Sequence, residues 1–261
     1  STVNRTLSAV TGFYEYQARN GSKVAKSLLV QTRSGQGGYK SFLAGIAPNR
    51  ARGRVGRLAA PQRLPRTLTL TQVAAILAAQ ARFRDRLLFA LMFETGMRIG
   101  QVLGLRHEDV ITWEERIEIV PRDDNANRAR GKGGYGSIPI ARDLIQLHHE
   151  YMHREYGAID SDYVFINLWG GTVGRPMNYA SVVDIVDRTR AKVGFPFTCH
   201  MLRHTWATLA ARDGVPIEVI SNVLTHRSIE TTSGTYIHRS AEDLRRALEA
   251  AGVYERVRDL V

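Results

Sequence analysis

The sequence has few cysteines, no long apolar run and few acidic residues near its N-terminus, and each of these shortages excludes or disfavours a class of protein. A single cysteine, Cys199, leaves no partner for an internal disulfide, which favours a reducing, cytoplasmic environment. No run of about 18 apolar residues occurs, and the N-terminal residues lack a charged-then-apolar pattern. We therefore expect neither a membrane span nor a secretion signal. Acidic residues are scarce at one end, where residues 1–66 contain only Glu15 against 12 lysines and arginines.

The shortage of acid leaves the N-terminal quarter strongly basic. Its net charge of +11 equals that of the whole chain at pH 7, because residues 67–261 carry 24 basic and 24 acidic residues. Such a concentration predicts a polyanionic partner, double-stranded DNA first, since neutralised phosphates release counterions. A solvated basic tail without a partner is the alternative.

The densest positive charge lies in residues 48–66, which contain six arginines and almost no apolar periodicity. This composition predicts a linker that follows a phosphate backbone, and a hinge without contacts is the alternative. Two more arginines stand beside glycines in a loop further along the chain. The expected DNA-binding residues are Arg50, Arg52, Arg54, Arg57, Arg128 and Arg130.

Periodicity predicts a mainly α-helical chain with a small antiparallel β-sheet. Helices are predicted over residues 2–19, from Lys23, from a cap at Thr69 or Thr71, after residue 98, and over 143–156, 179–193 and about 240–251. Residues 115–120 and 137–140 alternate apolar and polar side chains, which predicts two strands joined by a loop.

The residues best suited to chemistry lie between Phe197 and His238. This stretch contains H-M-L-R-H-T-W-A-T-L-A, then L-T-H-R-S-I-E-T-T and T-Y-I-H. Arginine suits the oxygens of a phosphodiester because it binds them bidentately and stays charged. A tyrosine hydroxyl can act as the nucleophile if cationic neighbours favour its phenolate. The stretch therefore predicts a reaction centre that acts on a phosphodiester.

These motifs resemble the closing signature of the tyrosine recombinase, or phage integrase, family. Two further blocks resemble the family in the same order, F-E-T-G-M-R-I-G-Q-V-L-G-L-R-H-E-D-V at residues 93–110 and R-G-K-G-G-Y-G-S-I-P-I at residues 130–140. The resemblance implies a tyrosine recombinase catalytic domain over residues 67–261, preceded by the basic linker at 48–66. A partial core-binding helical domain would occupy residues 1–47, and its usual first helix would lie upstream.

The resemblance implies site-specific DNA strand exchange, as in the integration or excision of a mobile element, without metal, ATP or other cofactor. Tyr236 would form a 3′-phosphotyrosyl link while Arg98 and Arg203 hold the phosphate oxygens. Lys132 would protonate the leaving 5′-oxygen. His200 would assist proton movement, and His226 would donate a hydrogen bond to a non-bridging oxygen. A homotetramer on paired sites, associated with the nucleoid, is also implied. The catalytic set is Arg98, Lys132, His200, Arg203, His226 and Tyr236.

Other readings stay open from the sequence. A Xer-like dimer resolvase, a type IB topoisomerase and an inactive DNA-binding regulator would share much of this pattern. Gln101 stands where the family usually has an acid, and Thr225 stands where glycine is usual. The gap from His226 to Tyr236 is one residue longer than the commonest spacing. None of these departures removes a reacting group.

Three patterns suggest different chemistry. Residues 149–153 fit the H-E-x-x-H zinc signature, but we expect these histidines to face water. Asp123 and Asp124 are a candidate Mg²⁺ pair that we interpret as a solvated loop. Cys199 is a candidate nucleophile that we interpret as a small buried side chain.

Overall fold

The computed structural model describes residues 2–28, 66–131, 134–169, 171–224 and 241–254. Lys132, His226, Tyr236 and the linker arginines at positions 50, 52, 54 and 57 lie outside these ranges. The chain divides into two compact units, Ser1–Leu64 and Pro65–Val261. Among the described residues, no helix is both long and apolar enough to cross a membrane.

The described part of the first unit is a pair of helices, α1 (Thr2–Arg19) and α2 (Lys23–Leu28). The turn between them contains Gly21, whose φ of 95° suits glycine. Both helices begin where the sequence predicts. Several apolar side chains of α1 remain exposed, among them Phe13 and Tyr16.

The second unit is mainly helical, as predicted. Its helices are α3 (Leu70–Ala78), α4 (Phe83–Thr95), α5 (Ile99–Val102), α6 (Arg142–Tyr151), α7 (Tyr179–Val193), α8 (Cys199–Arg212), α9 (Ile217–Val223) and α10 (Ala241–Ala250). Thr69 caps α3, because its hydroxyl accepts the N–H of Gln72 while the Gln72 side chain accepts the N–H of Thr69. Thr198 caps α8 in a similar way, by accepting the N–H of Met201.

A three-stranded antiparallel sheet flanks the helices, in the order β1 (Val110–Ile111), β2 (Arg116–Ile119) and β3 (Gly136–Pro139). In the β2–β3 register Ile117 lies opposite Ile138, and both are buried. These two strands confirm the alternation seen in the sequence. The third, β1, was not predicted, because two residues are too few to show a period of two.

Helix α4 is the centre of the core and packs against α3, α6 and α8. Its side chains are buried on every face, from Leu87 to Thr95. A helix that is apolar all round has to be covered by neighbours, which fixes the positions of both of its ends. Gly96 ends it in the left-handed conformation, with φ of 63°.

One buried acid ties α4 to its neighbours. Glu94 Oε1 accepts the backbone N–H of Ala141 at 2.5 Å, just before α6. Burial raises the pKa of Glu94 to about 7, and the nearby Asp143 adds to the rise. Helix α10 packs on β3 and α9, and its Arg245 pairs at 2.7 Å with Glu115, the residue before β2.

Candidate active site

Two arginines that are far apart in sequence meet at one backbone carbonyl. Arg203, in α8, donates from Nη1 to the Gly96 oxygen at 2.6 Å and from Nη2 to the Leu224 oxygen at 2.8 Å. Arg98, which precedes α5, donates from Nη1 to the same Leu224 oxygen at 3.3 Å. The structure therefore brings both predicted arginines together.

The fold explains this convergence. Packing of α4 against α8 places the turn after α4, which carries Arg98, beside the first turns of α8, which carry Arg203. The turn itself depends on Gly96, because a Cβ there would lie 2.7 Å from Leu224 Cδ2 and 3.1 Å from Trp206 Cε3. Close packing of this turn therefore sets the spacing of the two guanidinium groups.

The arginine pair holds positive charge in a place where water is scarce. Arg203 is only 4% exposed, and burial, then the charge of Arg98, lowers the pKa of Arg203 to about 10. Burial also lowers the pKa of Arg98. Both groups stay cationic at neutral pH, and each disfavours the charge of the other. An anion bound between them would relieve that repulsion, so the site favours negative charge.

His200 lies at the edge of this pair, in the first turn of α8. Burial lowers the pKa of His200, and the nearby positive charges of His204, Arg203 and Arg98 lower it further. Its ring lies 4.2 Å from the ring of His204, centroid to centroid. A neutral imidazole can accept a proton from an attacking hydroxyl. His204, four residues on, is a member of the site that we did not predict, although an i, i+4 spacing on a helix places both rings on one face.

A cavity of about 290 Å³ opens beside these residues. One wall carries Arg98, His200 and Arg203, and the other carries apolar side chains of α7, including Val182 and Val186. This volume approaches that of small-ligand pockets, so a phosphate with part of its sugar could enter. Tyr179, at the start of α7, lines the rim and is 63% exposed.

The loop that leads to Lys132 packs against α5. A Cβ on Gly100 would lie 2.4 Å from the carbonyl oxygen of Arg130. One on Gly131 would lie 3.5 Å from Gln101 Cγ. Lys132 is outside the described residues, but its preceding neighbour therefore lies against the helix that begins after Arg98.

Asparagines hold this loop in place. The Nδ2 group of Asn127 donates to the carbonyl oxygens of Leu103 at 2.8 Å and Met177 at 2.7 Å. Asn125 Nδ2 donates to the Ala129 oxygen at 2.9 Å, which closes the loop on itself. These residues were not predicted, because nothing in their local sequence distinguishes them from other loop asparagines. Arg128 and Arg130, predicted to contact DNA, are both exposed here.

Gln101, which stands where the family usually has an acid, supports the first arginine. Its Oε1 accepts the backbone N–H of Arg98 at 2.8 Å. A glutamine can make this bond as an acid does, since only an acceptor is needed. The departure in sequence therefore keeps a hydrogen bond to the backbone of Arg98.

Two predicted residues, His226 and Tyr236, lie outside the described residues, but the chain leading to them starts at the arginine pair. Leu224, whose carbonyl both arginines bind, is two residues before His226. Tyr236 is twelve residues beyond Leu224 in the sequence.

The competing patterns have structural roles. The chain changes from α-helix to a π-helical turn at Met152, inside the H-E-x-x-H segment, which disturbs the i, i+4 alignment that zinc binding needs. Glu150 is paired with Arg154, and both histidines of the motif are exposed, as predicted. Within the described ranges no group of three potential metal ligands occurs.

Of the two other patterns, Asp123–Asp124 has the exposure expected of a solvated loop, whereas Cys199 is half-buried and not fully buried as expected. Asp123 and Asp124 are exposed on the loop before Asn125. Burial raises the pKa of the Cys199 thiol to about 11, so the reactive thiolate is scarce at neutral pH.

Known proteins share both the sequence and the fold. A sequence profile of the phage integrase family matches residues 66–243. Transposase A from transposon Tn554 of Staphylococcus aureus is 38% identical over 247 residues, which cover 94% of this chain and 68% of the transposase. Tyrosine recombinase XerA of Pyrococcus horikoshii is 30% identical over 198 residues, which cover 76% of this chain and 65% of XerA.

Solved structures extend the likeness in fold. A crystal structure of XerA recombinase has a TM-score of 0.55 at 23% identity, over 72% of this chain and 66% of that one. The integrase from mycobacterium phage Brujita has a TM-score of 0.55 at 18% identity, over 83% and 70%. The Tn1549 transposon integrase in complex with circular intermediate DNA has a TM-score of 0.52 at 19% identity, over 73% and 67%. This chain spans about two thirds of the length of most of these relatives.

Proposed function

Because the chain belongs to the phage integrase family of tyrosine recombinases, we propose that it exchanges DNA strands through a 3′-phosphotyrosyl intermediate with Tyr236 as nucleophile. Breaking and rejoining DNA in site-specific recombination is the activity of this family. The observation that carries the finer proposal is the convergence of Arg98 and Arg203 on the carbonyl of Leu224. That carbonyl stands at the start of the segment that contains His226 and Tyr236.

The arginines stabilise the charge that develops on the scissile phosphate. Their guanidinium groups are held by backbone carbonyls before any substrate binds, so little reorganisation is needed when the transition state forms. Each contributes about 3 kcal/mol to transition-state binding, as single oxyanion donors do in other enzymes. His226 adds a donor to a non-bridging oxygen.

Proton transfers accompany the exchange of bonds at phosphorus. The Tyr236 oxygen forms a bond to phosphorus as its proton passes to neutral His200. The bond from phosphorus to the 5′-oxygen then breaks, and Lys132 gives that oxygen a proton. A 5′-hydroxyl from the second DNA strand reverses these steps, so the bond energy is conserved and no ATP is consumed.

The substrate is double-stranded DNA carried by a mobile element. The 38% identity to a transposase, over 94% of this chain, favours movement of an element over the resolution of chromosome dimers. The Tn1549 integrase, of the same fold, was solved with circular intermediate DNA, a form expected of an excised element. Four copies of the chain would act on two paired sites.

Covalent trapping tests the proposed nucleophile. A suicide duplex, made from the ends of the element that carries this gene, loses a short fragment after cleavage and so leaves the protein attached. Wild-type protein should give an SDS-resistant complex, and Tyr236→Phe should give none. Tyr179→Phe is the matched control, because this exposed tyrosine lines the same cavity and should still trap DNA. A complex formed by Tyr236→Phe would refute the proposal.

The outcome on circular DNA separates strand exchange from related activities. A plasmid with two copies of the site should yield two recombinant circles. Circles that are only relaxed would indicate a type IB topoisomerase. Binding without any covalent complex would indicate a regulator that uses the same fold.

A further inference from the structure

A second concave surface in the catalytic unit is rich in positive charge. It is a cleft of about 300 Å³ between the end of α3, the start of α4, the C-terminal half of α7 and Trp169. We refer to it as the basic cleft. Its charged lining residues are Arg82, Arg84, Asp85, Arg188 and Lys192.

Two of the cationic side chains in the cleft, those of Arg84 and Lys192, are held in place by contacts within the protein. Arg84 pairs with Asp85 at 2.7 Å and also donates to the carbonyl oxygen of Ile166 at 3.1 Å. Lys192 donates to the carbonyl oxygen of Ala79 at 3.0 Å, which holds the end of α7 against the end of α3. The single acid of the cleft is therefore already neutralised, and the surplus charge is positive.

Two exposed arginines of the cleft have no acidic partner in the described part of the chain. No carboxylate there lies within ion-pair distance of Arg82 or Arg188. Residues 67–261 have no net charge, so this local excess comes from how the fold places the side chains and not from composition. The two guanidinium groups are thus available to an external anion.

An exposed tryptophan orders one of these arginines. The guanidinium carbon of Arg82 lies 3.5 Å from the centroid of the Trp169 ring, and that of Arg84 lies 5.1 Å away. Trp169 is 45% exposed. A guanidinium stacked on an indole keeps its N–H groups in its own plane, where they can bind phosphate oxygens. The indole also offers an apolar surface to a sugar or a base.

The basic cleft is separate from the active site. It lies at the first residues of α4, whereas Arg98 follows the last, and a helix of 13 residues is about 20 Å long. On α7 the cleft uses Ile185, Arg188 and Thr189, while the active-site cavity uses Val182 and Val186. The two surfaces therefore lie on different faces of one helix.

We propose that the basic cleft binds backbone phosphates of a DNA segment away from the phosphodiester that reacts. The proposal rests on the proposed function, because a duplex held at the active site extends past the enzyme. Two exposed guanidinium groups beside a partly exposed indole suit a sugar–phosphate backbone better than carboxylates alone, which would leave the exposed part of the ring without a sugar or base to contact.

Salt-dependent binding tests the proposal in the full chain. Binding of a fluorescein-labelled duplex of arbitrary sequence is measured over a range of salt concentrations for wild type, Arg82→Ala and Arg188→Ala. Each variant should bind about tenfold more weakly, and the slope of log K against log salt should shrink by about one. Arg142→Ala is the control, because this exposed arginine is paired with Glu115 and lies near Glu94, at the other end of α4. Slopes equal to that of wild type in both cleft variants would overturn the proposal.

Two further arms separate the possible occupants. Poly-glutamate replaces DNA in the same titration, and weaker poly-glutamate binding with an unchanged DNA slope would overturn the DNA assignment in favour of an acidic protein. Inorganic phosphate should compete only weakly for the labelled duplex. Effective competition by phosphate alone would show a small-anion site and would likewise overturn the assignment.

Different results would refute the proposed role of the basic cleft and the proposed strand exchange. On a short suicide duplex that covers only the reacting site, the double variant Arg82→Ala/Arg188→Ala should form the covalent complex at the wild-type rate. Loss of trapping by wild type itself would remove the proposed function without changing the salt slopes. Loss of trapping by the double variant alone would place the cleft within the active site and refute its separate role.

Discussion

At the scale of single residues, the site depends on backbone acceptors as much as on charged side chains. Gly96 and Leu224 offer only carbonyl oxygens, yet these oxygens orient Arg203 and, in part, Arg98. A guanidinium can bridge two such acceptors because its donors form a rigid planar fork. The arginines are therefore selected for shape as well as charge.

Arg203→Lys should separate these two properties. Lysine keeps the positive charge but cannot reach both the Gly96 and the Leu224 oxygens with one ammonium group. We expect the rate of covalent complex formation on a suicide duplex to fall about 100-fold or more. Arg212→Lys, an exposed position on the same helix, should react like wild type. A normal rate for Arg203→Lys would show that charge alone suffices.

His148 should make the protein sensitive to acid. Its two ring nitrogens are buried without a hydrogen-bond partner among the described residues, in a cavity lined by Leu87, Leu144 and other apolar side chains. Burial, then the nearby His149 and His107, lowers the pKa of His148 from 6.5 to about 4. Between pH 6.5 and about pH 4, His148 is protonated in the unfolded chain but stays neutral in the folded chain. The free energy of unfolding therefore decreases as the pH falls through this range.

His148→Leu should remove that loss. We expect a gain of about 1 to 2 kcal/mol in the free energy of unfolding at pH 7.5, because a leucine leaves no buried polar atom unsatisfied. At pH 5 the gain should be about 2 kcal/mol larger, from the difference in proton uptake. Urea unfolding at both pH values measures this, with the exposed His149→Leu as control. An equal gain at both pH values would contradict the assigned pKa shift.

At the scale of elements, the site is built where helix ends meet. The end of α4, the start of α5, the start of α8 and the end of α9 each contribute a group that is hydrogen-bonded to at least one of the others. Such ends are rigid because the helices behind them are packed in the core. Glycines at these positions allow the close approach.

Gly96→Ala should damage the site more than its backbone conformation alone explains. Alanine at φ of 63° costs about 1 to 2 kcal/mol, and its Cβ would also collide with Leu224. Gly194→Ala, at the end of α7, has φ of 77° but open space around the added carbon, so it carries the conformational cost only. We expect the trapping rate to fall for Gly96→Ala and to stay normal for Gly194→Ala. Equal rates would show that the Leu224 contact does not position the arginines.

Gly100→Ala should disturb the loop that leads to Lys132. The added carbon would lie 2.4 Å from the Arg130 oxygen, so the loop has to move. We expect slower covalent complex formation with little change in DNA binding, because exposed Arg128 and Arg130 would still reach phosphates. Gly134→Ala, where no atom lies within 4 Å of the added carbon, is the control in the same loop. An unaffected rate in Gly100→Ala would mean that this packing does not position the lysine.

The sequence predicts elements well where their signal is local, and it identifies three residues that the structure places in the candidate site. Arg98, His200 and Arg203 each lie in a contiguous motif, and Tyr179–Val193 is a helix over the range that its periodicity indicates. The shared Leu224 carbonyl could not be predicted, because it depends on packing between segments more than 100 residues apart. The π-helical turn after α6 was also missed, since an inserted residue within a helix changes the apolar pattern very little.

At the scale of the whole molecule, the excess positive charge and the residues proposed to react lie in different parts of the chain. Residues 1–66 carry the net charge of +11, whereas the residues proposed to react lie in the segment 67–261, whose acids and bases balance. Long-range attraction to DNA therefore comes mainly from the N-terminal quarter and should weaken steeply with salt. The proposed reaction depends instead on short-range contacts in the arginine pair, so its rate should be much less sensitive to salt.

In the proposed mechanism a phenol near the C-terminus attacks a phosphate held by Arg98 and Arg203. Peptide mapping of the covalent complex formed by wild-type protein on a suicide duplex tests it most directly. We predict that mass spectrometry will find the nucleotide remnant on the peptide that contains Tyr236, joined through the phenolic oxygen to a 3′-phosphate. A remnant on any other residue, or a 5′-phosphate linkage, would contradict the account.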